Sequence, residues 1–159
     1  MPKFLECFHG FEKLKVVKDL FGELTLPVLE NLQVEFSSEV RYMEVDGNTG
    51  HLRVGKKYYK KGKKIEIYLD VIHELVHVMQ HYEGRLIDDH KVPYVDRPIE
   101  IEAYRIAVKE ARRLGMKEKE ILSYLWADWL TKKEAERLAK HCGVKVKKWR
   151  LFPRGKDDE

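Results

Sequence analysis

Cysteine is nearly missing from this chain: Cys7 and Cys142 are the only two, far apart and in no C-x-x-C pair. A zinc ribbon is thereby excluded and a disulfide framework disfavoured, so both thiols are expected as small core residues. Amides are equally scarce, limited to Asn31, Gln33, Asn48 and Gln80, beside 36% charged residues. That balance resembles proteins of hot environments, where charge networks replace heat-labile side chains. No run of eighteen apolar residues occurs, so no membrane span is expected. The opening Met1-Pro2-Lys3-Phe4-Leu5-Glu6 has neither the apolar stretch nor the cleavage site of a secretory signal, and a cytoplasmic location is the default expectation. A net charge of +4 over 159 residues permits an acidic partner without requiring one. The length suits one domain, 1–159, with a core of its own.

What is present is more specific. His73-Glu74-Leu75-Val76-His77 is an H-E-x-x-H pattern. Residues four apart on an α-helix lie one turn above each other, so both imidazoles can converge on one metal ion. Glu74 stands about 100° round the helix from His73, within reach of a water on that ion. From composition alone such a pattern arises by chance roughly once in thirty chains, so its surroundings decide. Val71, Ile72, Leu75, Val76, Val78 and Met79 make the segment apolar nearly all round, which reads as a buried helix. Unpartnered His and Glu there would cost several kcal/mol, and a zinc ion supplies the partner. No Pro or Gly interrupts 69–83, and Gly84 is a natural stop.

The rest of the chain reads as follows. Apolar spacing predicts a helix over 11–24, broken after by Pro27. Leu32–Phe36 and Val40–Val45 alternate as strands, Asp46-Gly47-Asn48-Thr49-Gly50 is turn chemistry, and 51–59 is expected to return as a strand. Lys60-Lys61-Gly62-Lys63-Lys64 reads as a second turn and Ile65–Leu69 as a further strand. The expected fold is α+β: a small, largely antiparallel sheet leading into the His73 helix. Helices follow over about 99–114, with Pro98 at its first turn, over 117–130, and from a Thr131-Lys132-Lys133-Glu134 capping box to Gly143. Leu122, Leu125, Trp126, Trp129 and Leu130 fall on one stripe and are expected to pack in the core. Val144–Phe152 is a basic alternating segment, and Lys156–Glu159 is expected to fray.

A catalytic zinc usually takes three protein ligands and keeps a fourth position for water. Gln80 and Glu83 stand where a metzincin needs Gly and His, which disfavours that class. His81 lies roughly 12 Å along the axis from His73, too far to share one ion, and is expected at or near the surface. The better candidates are on the next helix, in Pro98-Ile99-Glu100-Ile101-Glu102-Ala103-Tyr104. Glu100 and Glu102 are about 200° apart, so only one can face a metal. Glu102 is favoured, because Ala103 beside it lets two helices approach closely.

His73, Glu74, His77 and the pair Glu102-Ala103 together resemble the gluzincin clan of zinc metallopeptidases, in its minigluzincin and ImmA/IrrE-like forms. The resemblance covers about 32–112. It implies a zincin-like fold: the small sheet packed on an HExxH active-site helix and a glutamate helix, a core over about 32–115 and a C-terminal helical extension over about 116–159. It further implies a zinc-dependent endopeptidase with zinc on His73, His77 and Glu102, Glu74 as general base, and a peptide or protein substrate lying antiparallel to an edge strand. Two positions depart from the pattern. Asp70 stands where such enzymes have a small or apolar residue. Ile106 stands where thermolysin-like members carry an Asp that orients a histidine, leaving the acceptor for His73 or His77 unassigned. Tyr94, Tyr104, His90 and Arg105 are candidates for a donor to the oxyanion.

Two other readings compete. Lys56, Lys57, Lys60, Lys61, Lys63 and Lys64 crowd the expected hairpin around Tyr58 and Tyr59, and Lys145, Lys147, Lys148 and Arg150 flank Trp149. Such groups could track a nucleic-acid backbone, although lysines also protect a sheet edge from aggregation. The resemblance also implies that a zinc domain of this kind can be latent, held by Val144–Glu159 or by pairing into a homodimer.

Overall fold

Residues 4–31 interrupt their apolar clusters with Gly10 and Gly22, and the chain responds with short helices instead of the single one expected over 11–24. These are α1 (Phe4–Cys7), a 3-10 turn (Phe11–Lys13), α2 (Lys15–Phe21), a second 3-10 turn (Gly22–Leu24) and α3 (Thr25–Asn31). Pro27 does not break α3, because it sits in the first turn, where backbone N–H groups have no partner within the helix. Phe4, Phe8 and Phe11 form a tight aromatic cluster with centroids 5.2–6.2 Å apart, extended to Tyr68 by Phe11. Residues 1–146 and 153–154 are described by this computed structural model, and the chain forms two compact units, Met1–Asp88 and Asp89–Glu159.

The first unit carries the sheet: β1 (Val34–Ser37), β2 (Met43–Val45) and β3 (Leu52–Gly55), in the order β1-β3-β2. The sheet is mixed, not largely antiparallel. β2 and β3 are antiparallel across the Asp46–Gly50 turn, with Val45 opposite Leu52. There the Asp46 carboxylate accepts from the N–H groups of Asn48 and Thr49, and these bonds hold its pKa below the usual carboxylate value. β1 instead runs parallel to β3, with Phe36 opposite Val54. Residues 38–42 carry the chain past the end of β3 to its far edge, where Gly55 N–H meets the Tyr42 carbonyl. Gly55 admits this crossing because a Cβ would collide with the Val40 and Arg41 backbone.

The strand expected over 51–59 forms only as β3, and its remainder and the strand expected at Ile65–Leu69 are helical. After Gly55 the chain enters α4 (Lys56–Lys61), and Ile65–Leu69 belongs to α5 (Lys64–Tyr82). The alternation Ile65-Glu66-Ile67-Tyr68-Leu69 is strand-like in propensity. Extending an existing helix, however, gains one hydrogen bond per residue fixed and avoids a second nucleation. Within α5 burial rises along the chain, from Ile65 at 40% exposed to Leu69 at 0%. From Leu69 to Val78 every residue of α5 is buried, as the apolar run requires. The helix closes at Glu83, and Gly84 follows with a positive φ of 71°.

The second unit holds a 3-10 turn (Tyr94–Asp96), α6 (Pro98–Arg113), α7 (Glu118–Leu125) and α8 (Lys132–His141). Pro98 opens α6 as expected. The expected helix over 117–130 is shorter, because the chain turns at Trp126, where the indole N–H donates to the Leu130 carbonyl. The stripe is therefore only partly core. Leu122, Leu125 and Leu130 are buried, but Trp129 is 52% exposed and stacks edge-on against Tyr94. The Thr131 box forms as read: Glu134 N–H donates to Thr131 Oγ1 at 3.1 Å, and Thr131 N–H to the Glu134 carboxylate at 2.9 Å. Asp96 accepts a forked bond from Arg137 and a third from His141, tying the 3-10 turn to α8. Arg154 is buried, donates to the Tyr124 carbonyl and covers the Tyr124 ring. Lys147–Phe152, with Trp149, and the Lys156–Glu159 tail lie outside the described residues. Among the described residues no helix is long and apolar enough to cross a membrane.

Two stability measurements follow. Thr131→Ala removes a helix cap and is expected to lower stability by about 1 kcal/mol in a denaturant titration. Hydrogen bonds from Arg137, then His141, hold the Asp96 carboxyl below its usual value. The stabilisation is present above the unfolded-state pKa, about 3.9, and is lost as pH falls through the lower folded-state value. Asp96→Asn should therefore lower stability near neutrality and flatten the acid limb of the pH–stability curve. An acid limb identical to that of the original chain would count against this ion cluster.

Candidate metal centre

α5 places His73, Glu74 and His77 on adjoining positions of its most buried stretch. They are 4%, 6% and 5% exposed. The i, i+4 spacing brings the two imidazoles together at 4.8 Å between ring centres and 83° between planes. Their Nε2 atoms are 3.1 Å apart. Glu74 Oε2 lies 3.8 Å from His73 Nε2, beyond direct hydrogen bonding. One ligand atom from each of the three residues falls within 4.8 Å of the others, close enough to share an ion.

Gln80 orients this set. Its side chain is fully buried, and Oε1 accepts from His77 Nδ1–H at 2.7 Å. In a neutral ring the proton on Nδ1 leaves a lone pair on Nε2, aimed at His73. Two nitrogens at this separation need a proton or a cation between them. Zinc binds imidazole at about 2.0–2.1 Å, so two tetrahedral nitrogen ligands stand about 3.3 Å apart. The observed spacing is within about 0.2 Å of that, the tolerance expected of a metal site. The donor set of two buried imidazoles and a carboxylate is one that zinc takes.

Gln80 is the residue that reading the sequence missed. It entered only as a departure from the metzincin pattern. A signal was available, since it is the one amide in the buried run and stands three residues after His77, on the same side of the helix. It supplies an acceptor that the pattern of Ile106 left open. Asp70, the other departure, is also buried and accepts a 2.6 Å bond from the Tyr58 hydroxyl.

The other predicted residues fall as follows. His81 is not in the convergent group. It is half-buried, and its ring packs where a Gly50 Cβ would stand, beside a hollow of about 310 Å³ that His51 also lines. Glu102 belongs to the second unit. It is half-buried on α6, on the face formed with Pro98, Ile101, Arg105 and Ile106 around an open hollow of about 500 Å³. Glu100 is more deeply buried, at 9% exposed. Ala103, next to Glu102, is fully buried. Among the oxyanion candidates, Tyr94 and Tyr104 bring their hydroxyls to 2.9 Å, Arg105 donates to the His141 carbonyl, and His90 is exposed. The six lysines of 56–64 are exposed as expected, on α4 and the start of α5 instead of a hairpin. Cys142 is buried, which pushes its thiol up to about 11, whereas Cys7 is only half-buried.

Comparison of the chain with family models, with curated proteins and with solved structures yields no match. What is established is thus an α+β chain with a small mixed sheet and a buried His73–Glu74–His77 group able to bind a metal.

Gln80→Leu tests the orientation of the pair. Without the acceptor, His77 is expected to lose its preference for the Nδ1–H tautomer, which imidazole ¹⁵N chemical shifts of the metal-free protein report. An unchanged tautomer would mean that another group holds the ring.

Proposed function

We propose that this chain is a zinc-dependent peptidase that hydrolyses peptide bonds with Glu74 as general base. The observation that carries the reading is the 3.1 Å convergence of the His73 and His77 Nε2 atoms on a buried helix, with Glu74 beside them. Zinc held there would act as a Lewis acid and lower the pKa of a water toward neutrality. His73 and His77 would hold the ion, with the His77 lone pair kept turned inward by Gln80. Glu74 takes a proton from the attacking water and passes it to the departing amine, which makes it acceptor first and donor second. Glu74 Oε2 stands 3.8 Å from His73 Nε2, near enough for a water on the ion to reach it. Low exposure of the three side chains limits water and strengthens each of these interactions. A third protein ligand is expected of a catalytic zinc, and the family resemblance assigns it to Glu102, with Glu100 as the alternative.

A second reading has support in the same geometry. Glu74 lies near enough to the histidines to be a ligand itself, which would make the centre a zinc-binding one without a base.

Metal analysis and a peptide-library assay separate these. The wild-type protein should carry one zinc per chain and cleave peptides. His77→Ala should lose both. Glu74→Gln should keep the zinc and lose at least about 10²-fold in rate, the usual contribution of a general base. Loss of zinc from Glu74→Gln would make it a ligand, and a zinc-loaded wild type that cleaves nothing would overturn the peptidase. Between Glu102→Gln and Glu100→Gln, the variant with weakened zinc binding identifies the third ligand.

A further inference from the structure

We infer that Asp70, held by Tyr58, is a positioning residue that raises the affinity of the α5 histidines for a divalent cation. The inference rests on the metal-binding part of the function proposed above and adds a residue that the HExxH pattern does not contain.

Three observations support it. First, Asp70, His73, Glu74 and His77 are spaced i, i+3, i+4, i+7, so all four lie on one side of α5, with Asp70 about 4.5 Å along the axis from His73. All four are buried. Second, the carboxylate is held. Tyr58, 8% exposed, donates its hydroxyl to Asp70 Oδ2 at 2.6 Å, a short charge-assisted bond. The Tyr58 ring is itself fixed edge-on against Tyr42, with centroids 5.0 Å apart. Third, Asp70 and Glu74 are both carboxylates at i, i+4. Like charges at that spacing repel, more so with water excluded. A dication held by the imidazoles would be attracted by carboxylates on this side of the helix.

Asp70 therefore acts through space on the ion bound by its neighbours, and Tyr58 fixes where its charge sits. Partners hydrogen-bonded to metal ligands typically change affinity by about 10–100-fold, and a buried charge one turn away acts in the same sense through the field. A brace that only joined α4 to α5 would affect folding and leave cation affinity of the folded chain untouched.

The test is zinc affinity of the full chain, measured by competition with a chromophoric chelator, together with the visible spectrum of the cobalt-substituted protein. Asp70→Asn removes the charge and keeps an oxygen for Tyr58. Tyr58→Phe keeps the ring and the charge and removes the bond. Asp19→Asn is the control, an exposed carboxylate paired to Lys15. Asp70→Asn is expected to weaken zinc at least tenfold and Tyr58→Phe several-fold, with altered cobalt bands, a metal-free thermal midpoint near that of wild type, and no change in the control. Should Asp70→Asn fail to fold, Tyr58→Phe decides alone. Wild-type affinity and spectrum in the folded variants would overturn this inference and leave the metal site standing. A wild type that binds neither zinc nor cobalt would remove both.

Discussion

The centre of α5 is organised around two imidazole nitrogens held 3.1 Å apart, on residues 69–78, every one of which is buried. Neither ring could keep that position alone. The helical repeat sets the spacing, the stretch around both rings is buried, and the Gln80 Oε1 accepts from His77 Nδ1–H. Each influence is modest. Together they gather three polar side chains in an apolar stretch, in an arrangement that could hold a metal ion.

The surroundings share that logic. α4 is a short, lysine-rich helix with a single buried side chain, Tyr58, and that side chain points its hydroxyl at Asp70. Exposed lysines keep α4 in water while one aromatic residue anchors it. The sheet is small and mixed, and its turns are locally determined: Asp46 organises the β2–β3 connection through its own carboxylate. In the second unit Asp96 gathers Arg137 and His141, joining a loop to α8 with charge where apolar area is limited. Charge clusters of this type accord with a composition poor in amides and rich in ions.

Much of the helical structure was legible beforehand because helix signals are local. Pro98 at a first turn, the Thr131–Glu134 box and Gly84 after a long apolar run each act within a few residues, and each appears where expected. The strand readings failed where local and cooperative effects disagree. Ile65–Leu69 has the composition of a strand, yet it precedes a helix that lengthens by one hydrogen bond per residue. The stripe ending in Trp129 presupposed an unbroken helix, and the turn at Trp126 rotates that indole out to solvent. Strand direction was illegible for a different reason: parallel pairing of β1 with β3 depends on the path of residues 38–42, which no periodicity encodes.

The sequence by itself determined that His73, Glu74 and His77 would share one face of one helix, because a 3.6-residue repeat needs no long-range information. It also determined the caps and stops, which are interactions between near neighbours. Only the tertiary structure decided that Gln80 accepts from His77 and that Tyr58, twelve positions before Asp70, donates to it. The reason is physical: a side chain's partner depends on which rotamer the surrounding packing leaves open and on which distant segment is brought alongside, and neither is written in spacing alone.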